Sequence, residues 1–195
     1  MKRINRIIES LLFAADGPIS LKRLAQIVPD ANDDQIRESI EELNNHYQDH
    51  AFGIVRIAGG FQLVTRSEYH EHIQKMYAAR TRPRLSQAAL EALSVIAYKQ
   101  PVSRIEIEAV RGVNSDGVLG TLLERGVIEI RGRAETVGRP LLYGTTEEFL
   151  KYFGLNNQSD LPSMEEIEAM LREREQERRE EEVTDRPEPP SEDAA

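Results

Sequence analysis

Apolar residues return at helical spacing from the start of the chain: Ile4, Ile7, Ile8, Leu11, Leu12 and Ala15 form one stripe, and Gly17-Pro18 stops it. Ser20 is placed to cap a short helix carrying Leu21, Leu24 and Ala25. After Pro29 a third helix follows, with Ile36, Ile40, Leu43 and Tyr47 on one face. The period then changes. Residues 52–58 and 61–65 read as strands around Gly59-Gly60, a dipeptide that tolerates the positive φ of a tight hairpin. Tyr69, Ile73, Met76 and Tyr77 predict one more helix, and Arg80 to Arg84, with Pro83 inside, reads as a linker.

The second half repeats this order without repeating its residues. Ser86 caps a helix with Ala89, Leu90, Leu93, Ile96 and Ala97, ended by Gln100-Pro101. A short helix from Ser103 carries Ile105, Ile107 and Val110 and breaks at Gly112. A third, from about Ser115, presents Val118, Leu119, Leu122 and Leu123. Strands Val127 to Ile130 and Leu141 to Tyr143 flank a loop bearing glycine and arginine, and Thr145 with Glu148 has capping-box spacing before Phe149, Leu150 and Phe153.

Three helices followed by a two-stranded wing is the winged form of the helix-turn-helix, here in tandem. The predicted fold class is therefore mainly α with small β-hairpins (α+β): two winged-helix domains, residues 1–79 and 86–161, joined by a linker, 80–85, and followed by an acidic, largely disordered tail, 162–195. In that tail Ser163 and Glu166 have capping-box spacing, and Met164, Ile167, Met170 and Leu171 form a single apolar edge. Residues 172–182 are all Glu, Arg and Gln, which predicts a short or fraying helix. Each winged unit is small enough that one core gives thin stability, so packing between units or between chains is expected.

Composition narrows the function. The 195 residues include no cysteine, which removes disulfides, thiol nucleophiles and cysteine-held metals and suits a reducing cytosol. The apolar runs are too short to span a bilayer, and Asn5, Arg6 and Glu9 interrupt what would be a signal peptide's apolar core, so a cytoplasmic protein is expected. Residues 162–195 hold thirteen acidic and five basic side chains, a net of −8. Of the total of −9 only −1 is left on residues 1–161, which argues against broad electrostatic capture of nucleic acid.

Catalytic patterns are missing. His46 and His50 have the i,i+4 spacing that can hold a metal, without an evident third ligand, and His70 and His72 point different ways on a helix. Gly112, Gly117 and Gly120 lack the lysine and preceding strand of a phosphate loop. Pairs such as Glu106/Glu108 and Glu147/Glu148 sit in charged surroundings that suit solvated faces. The chain is expected to be no enzyme and to hold no cofactor or metal.

A helix-turn-helix reader needs Arg, Lys, Asn or Gln on its third helix. Residues 33–46 carry five acids against Arg37, and residues 115–125 have Asp116 and Glu124 against Arg125, surfaces that suit a protein partner better. Arg131, Arg133 and Arg139 on the second wing, and Arg80, Arg82 and Arg84 in the linker, keep a DNA-binding transcription regulator as the alternative.

The run Leu85-Ser86-Gln87-Ala88-Ala89-Leu90-Glu91-Ala92-Leu93, then Ile96 to Pro101 and Arg104-Ile105-Glu106, resembles the bacterial segregation and condensation protein B family. Arg111 to Asp116, Gly138-Arg139-Pro140, Leu142 to Thr146, Phe149-Leu150 and Phe153-Gly154-Leu155 continue the likeness in order and spacing. The first half is similar in architecture, including its Gly59-Gly60-Phe61 hairpin.

The resemblance implies a homodimer, joined chiefly through the first domains, that binds the kleisin ScpA and through it joins the SMC ATPase of a condensin-like complex. Its implied role is chromosome condensation and partition during cell division, at the nucleoid, with weak or indirect DNA contact and no membrane. On this reading the second domain grips the kleisin, with Tyr98, Arg111, Arg133, Arg139 and Tyr143 as candidate contacts. The candidate dimer contacts are Ile4, Ile8 and Leu11.

Overall fold

The computed structural model describes residues 2–77 and 84–184; the linker arginines Arg80 and Arg82 lie outside them, as does the end of the tail. The chain divides into two compact units, Met1–Gln158 and Ser159–Ala195.

Within the first unit the same arrangement occurs twice. In the first half, α1 (Arg3–Ala14), β1 (Ile19–Ser20), α2 (Leu21–Ile27) and α3 (Asp33–His46) precede β2 (Phe52–Ile57) and β3 (Gly60–Thr65). In the second, α5 (Gln87–Lys99), β4 (Val102–Ser103), α6 (Arg104–Arg111) and α7 (Asp116–Glu124) precede β5 (Ile128–Arg133) and β6 (Leu141–Thr145). Helices α4 (His70–Tyr77) and α8 (Glu147–Phe153) follow the respective wings. The result is two tandem winged-helix domains, mainly helical with small antiparallel sheets ordered β1-β3-β2 and β4-β6-β5.

The caps follow the sequence. Ser20, Ser86 and Ser103 each accept the backbone N–H three residues on, and Asn32 with Gln35, like Ser103 with Glu106, closes a full capping box. Glu106 accepts from both the N–H and the hydroxyl of Ser103, which holds its carboxyl below the usual range. Ile8, Leu24, Ile36 and Leu43 close the first core; Leu93, Ile96, Ile107 and Leu122 close the second.

Several local expectations are corrected. The two-residue strands β1 and β4 add a third strand to each hairpin; Ile19 and Ser20 pair with Phe61 and Gly60, and Val102 and Ser103 with Tyr143 and Leu142. The first wing turns at Ala58 and Gly59, both at positive φ (48° and 73°), while Gly60 begins β3. Gly60 matters for its missing side chain instead: a Cβ there would lie 2.9 Å from the backbone of Ile19, so a glycine lets β1 close on β3. Thr146 caps α8, accepting from the Phe149 N–H, whereas Thr145 is buried in β6. Ile105 and Val110 face outward from α6, and only Ile107 enters the core.

In the second unit the Ser163–Glu166 box opens α9 (Met164–Thr184), a helix longer than the short or fraying one expected; residues 185–195 lie outside the described residues. Met164, Met170 and Leu171 are exposed along its edge, and Arg172 pairs with Glu168 one turn back.

Candidate functional site

On α1 the stripe is almost wholly used inside the protein. Ile8 is fully buried, so its expected place in a dimer contact is corrected: its methyl groups already close the first core. Ile4 and Leu11 are half-buried against the same cluster. The exposed apolar group is Phe13, which lies off the stripe and is 80% exposed; helical spacing alone gives it no signal. It borders a groove of about 310 Å³ with Arg6, Glu9, Tyr47, Phe52 and Leu63. The Tyr47 hydroxyl donates to Glu9 at 2.6 Å; burial, then this carboxylate, pushes the phenol upward and keeps it neutral. The His46 and His50 rings, 5.5 Å apart, belong to an aromatic cluster with Tyr47 and Phe52.

The five candidates of the second half do not form one patch. Tyr98 is part-exposed on α5. Tyr143 is buried in β6, opposite Val102 and Ile130, and shows one edge to a groove of about 450 Å³ beside Arg104, Ile105 and Pro140. The Arg111 side chain is only 5% exposed; its guanidinium donates to Ser115 at 2.8 Å and to Glu91 at 3.3 Å. Arg111 thus clamps α5, α6 and the entry to α7 together, which corrects its expected role as a contact for a partner chain. Its acceptor Ser115 is itself fully buried.

The wing arginines divide. Arg131 turns back to the sheet, donating to the Thr145 carbonyl at 2.7 Å and pairing with Glu129 at 3.1 Å. Arg133 donates to the Arg139 carbonyl, and Arg139 is exposed in the turn at φ 41°. Val137, at the tip, is fully exposed.

Neither third helix is equipped to read base edges. On α3, Lys2 pairs with Glu38 and Glu42 at 3.3 and 2.7 Å, and the Asn5 amide donates to Glu42 at 2.8 Å. Lys2, then Asn5, lowers the Glu42 carboxyl, and the two glutamates raise the Lys2 ammonium. Asp34 and Glu41 remain exposed on the same helix. On α7 the exposed positions are Asp116, Gly117, Gly120, Thr121 and Glu124, with Asp116 held below its usual range by Arg104 and Asn114. The α3 face exposes Gln35, Arg37 and Asn45 but is outweighed by its acids and repels phosphate, and the α7 face offers almost no donors to a groove. Among the described residues no helix is long and apolar enough to cross a membrane.

These features define a tandem winged-helix protein whose third helices are acidic or small. The model of the family "Segregation and condensation complex subunit ScpB" matches residues 6–164. Segregation and condensation protein B of Syntrophotalea carbinolica is 44% identical over 174 residues, 88% of this chain and 87% of that protein. ScpB from Mycobacterium tuberculosis, a crystal structure, is 32% identical and overlaps 78% of this chain and 95% of its own, with a TM-score of 0.38. A crystal structure of the dimer of an ScpB N-terminal domain complexed with an ScpA peptide is 28% identical over 40% of this chain and 95% of its own, with a TM-score of 0.37. The chain belongs to the segregation and condensation protein B family.

Proposed function

We propose that this chain is a non-catalytic adaptor of the segregation and condensation complex: a cytoplasmic homodimer that binds the kleisin ScpA and through it joins the SMC ATPase at the nucleoid. The first domain, 1–79, carries dimerisation, and the second, 86–161, carries kleisin binding. The observation that supports this best is the electrostatics of the third helices. Where a DNA reader needs cations, α3 presents Asp34, Glu38 and Glu41, and Glu38 and Glu42 are engaged by Lys2. This counts against the transcription-regulator alternative.

On the second domain the groove of Ile105, Pro140, Leu141 and the Tyr143 edge, beside exposed Arg139, suits an extended segment with apolar side chains and a hydrogen-bonding backbone. Arg133 lies on the same wing and Tyr98 on α5. For the first domain, Phe13 replaces Ile8 as the apolar group free to meet a second copy. The test is the mass of the full chain, alone and after mixing with the kleisin of the same genome. A dimer that gains kleisin is expected; a monomer that ignores it overturns the reading.

A further inference from the structure

We propose that residues 155–156 are a latch that fastens the first wing to the second winged half of the same chain, so that the two halves meet partners as one preset body. The latch stands on hydrogen bonds within the chain and not on the identity of any partner.

The turn of the first wing has two residues, Ala58 and Gly59, between the paired Ile57 and Gly60. Both have positive φ, a conformation that alanine rarely adopts and that points two successive N–H groups outward as a small oxygen-binding concavity. In an isolated hairpin those amides face water. Here the Ala58 N–H donates to the Leu155 carbonyl at 2.9 Å, and the Gly59 N–H to the Asn156 carbonyl at 2.8 Å and its side-chain oxygen at 3.2 Å.

The accepting segment is itself fixed to the second half. Helix α8 ends at Gly154 in the left-handed conformation, and the Leu155 N–H returns to the Leu150 carbonyl at 2.9 Å. The Gln158 amide donates to the Ala97 carbonyl at 2.7 Å, and its side-chain oxygen lies 3.0 Å from the Thr145 hydroxyl. Thr145 in turn donates its N–H to Gln100 at 2.7 Å. One run of hydrogen bonds therefore leads from the tip of the first wing, through residues 155–158, to the end of α5 and the central strand β6. The covalent connection between the halves runs through residues 78–83; the latch is a second, separable link.

Amide hydrogen exchange on the full chain tests this. The Ala58 and Gly59 amides should exchange at least about tenfold slower than open turn amides, equally at micromolar and at tenfold lower protein. Asn156→Ala should speed Gly59 by roughly fivefold and leave Ala58 nearly unmoved, since it removes one acceptor. Gln158→Ala should speed both by about five- to tenfold while the amides of Leu43 and Leu93 in the two cores keep their rates. Exchange of Ala58 and Gly59 at open-turn rates overturns the latch, and so does a Gln158→Ala effect spread evenly over both cores. Protection that disappears on dilution assigns the accepting segment to a second copy and overturns the intramolecular latch. None of these failures bears on kleisin binding, which is read from the mass of the mixture.

Discussion

The two winged halves share an element order and use their wings in opposite ways. The first wing closes in a two-residue turn whose amides are consumed by residues 155 and 156. The second has a longer turn, carries Arg139 at positive φ and ends in a fully exposed Val137, and its sheet shifts register between Ile130 and Gly132. The third helices differ in the same sense: α3 is acidic and tied to α1 by Lys2, whereas α7 is short and small-faced, its Asp116 held by Arg104. Equivalent positions in a repeated fold can thus serve internal joining in one copy and be left outward in the other. A surface that reads DNA in one winged helix carries no such role where its charge has the wrong sign.

The largest effects fall where the halves are alike, in their cores. Ile8→Ala and Ile107→Ala each remove a fully buried side chain and should cost about 2–5 kcal/mol in urea unfolding. If Ile8 belonged to a dimer contact instead, its substitution would lower the mass below the unfolding range; mass should be unchanged there.

The central strands separate the halves next. In Gly60→Ala the new Cβ meets the Ile19 backbone at 2.9 Å, which cannot yield, so a loss of about 1–3 kcal/mol is expected. In Gly144→Ala it meets the Arg131 side chain at 2.8 Å and the Gln100 amide at 2.9 Å, groups that can turn aside at the expense of their own hydrogen bonds. The second loss should be the smaller, and thermal melts of the pair check it.

Arg111→Ala removes the buried clamp of the second half and should cost about 1–3 kcal/mol. Its functional counterpart, Arg66, donates to the carbonyls of Tyr47, Gln48 and His50 just past α3; Arg66→Ala should cost about 1 kcal/mol.

A weaker effect follows from the lowered carboxyls of Glu42, Glu106 and Asp116. A carboxyl lowered in the folded state stabilises above its unfolded value of about 4 and stops doing so as pH falls through its lowered value. The melting temperature should therefore drop on acidification below about pH 4, and Glu42→Gln should flatten part of that slope in the first half alone. The smallest effect on stability, within about 0.5 kcal/mol, is expected from Arg139→Ala, because the side chain is exposed. Its kleisin affinity should fall even so; equal loss of both would make Arg139 a structural residue.

Helices, most caps and wings were legible in the sequence because apolar spacing and Ser caps are local signals: Ser20, Ser86 and Ser103 each stand directly before the helix they cap, whereas the Asn32 cap of α3 emerged only in the structure. The strands β1 and β4 were not, since two residues carry no period. Thr146 displaced Thr145 as the α8 cap because Thr145 is needed inside, against Gln100. Which side of a motif faces inward was equally illegible: Ile8, Arg111 and Tyr143 fit the expected pattern by residue type, and burial assigns them to the interior. The latch could not be read at all, because its acceptors are backbone carbonyls nearly 100 residues from their donors.

The central claim is that outward surfaces of a paired winged-helix chain meet another protein. Its most direct measurement is light-scattering mass of the full chain with and without its kleisin. The account predicts a dimer whose mass rises by that of bound kleisin; a chain that stays monomeric and unchanged by kleisin would contradict it.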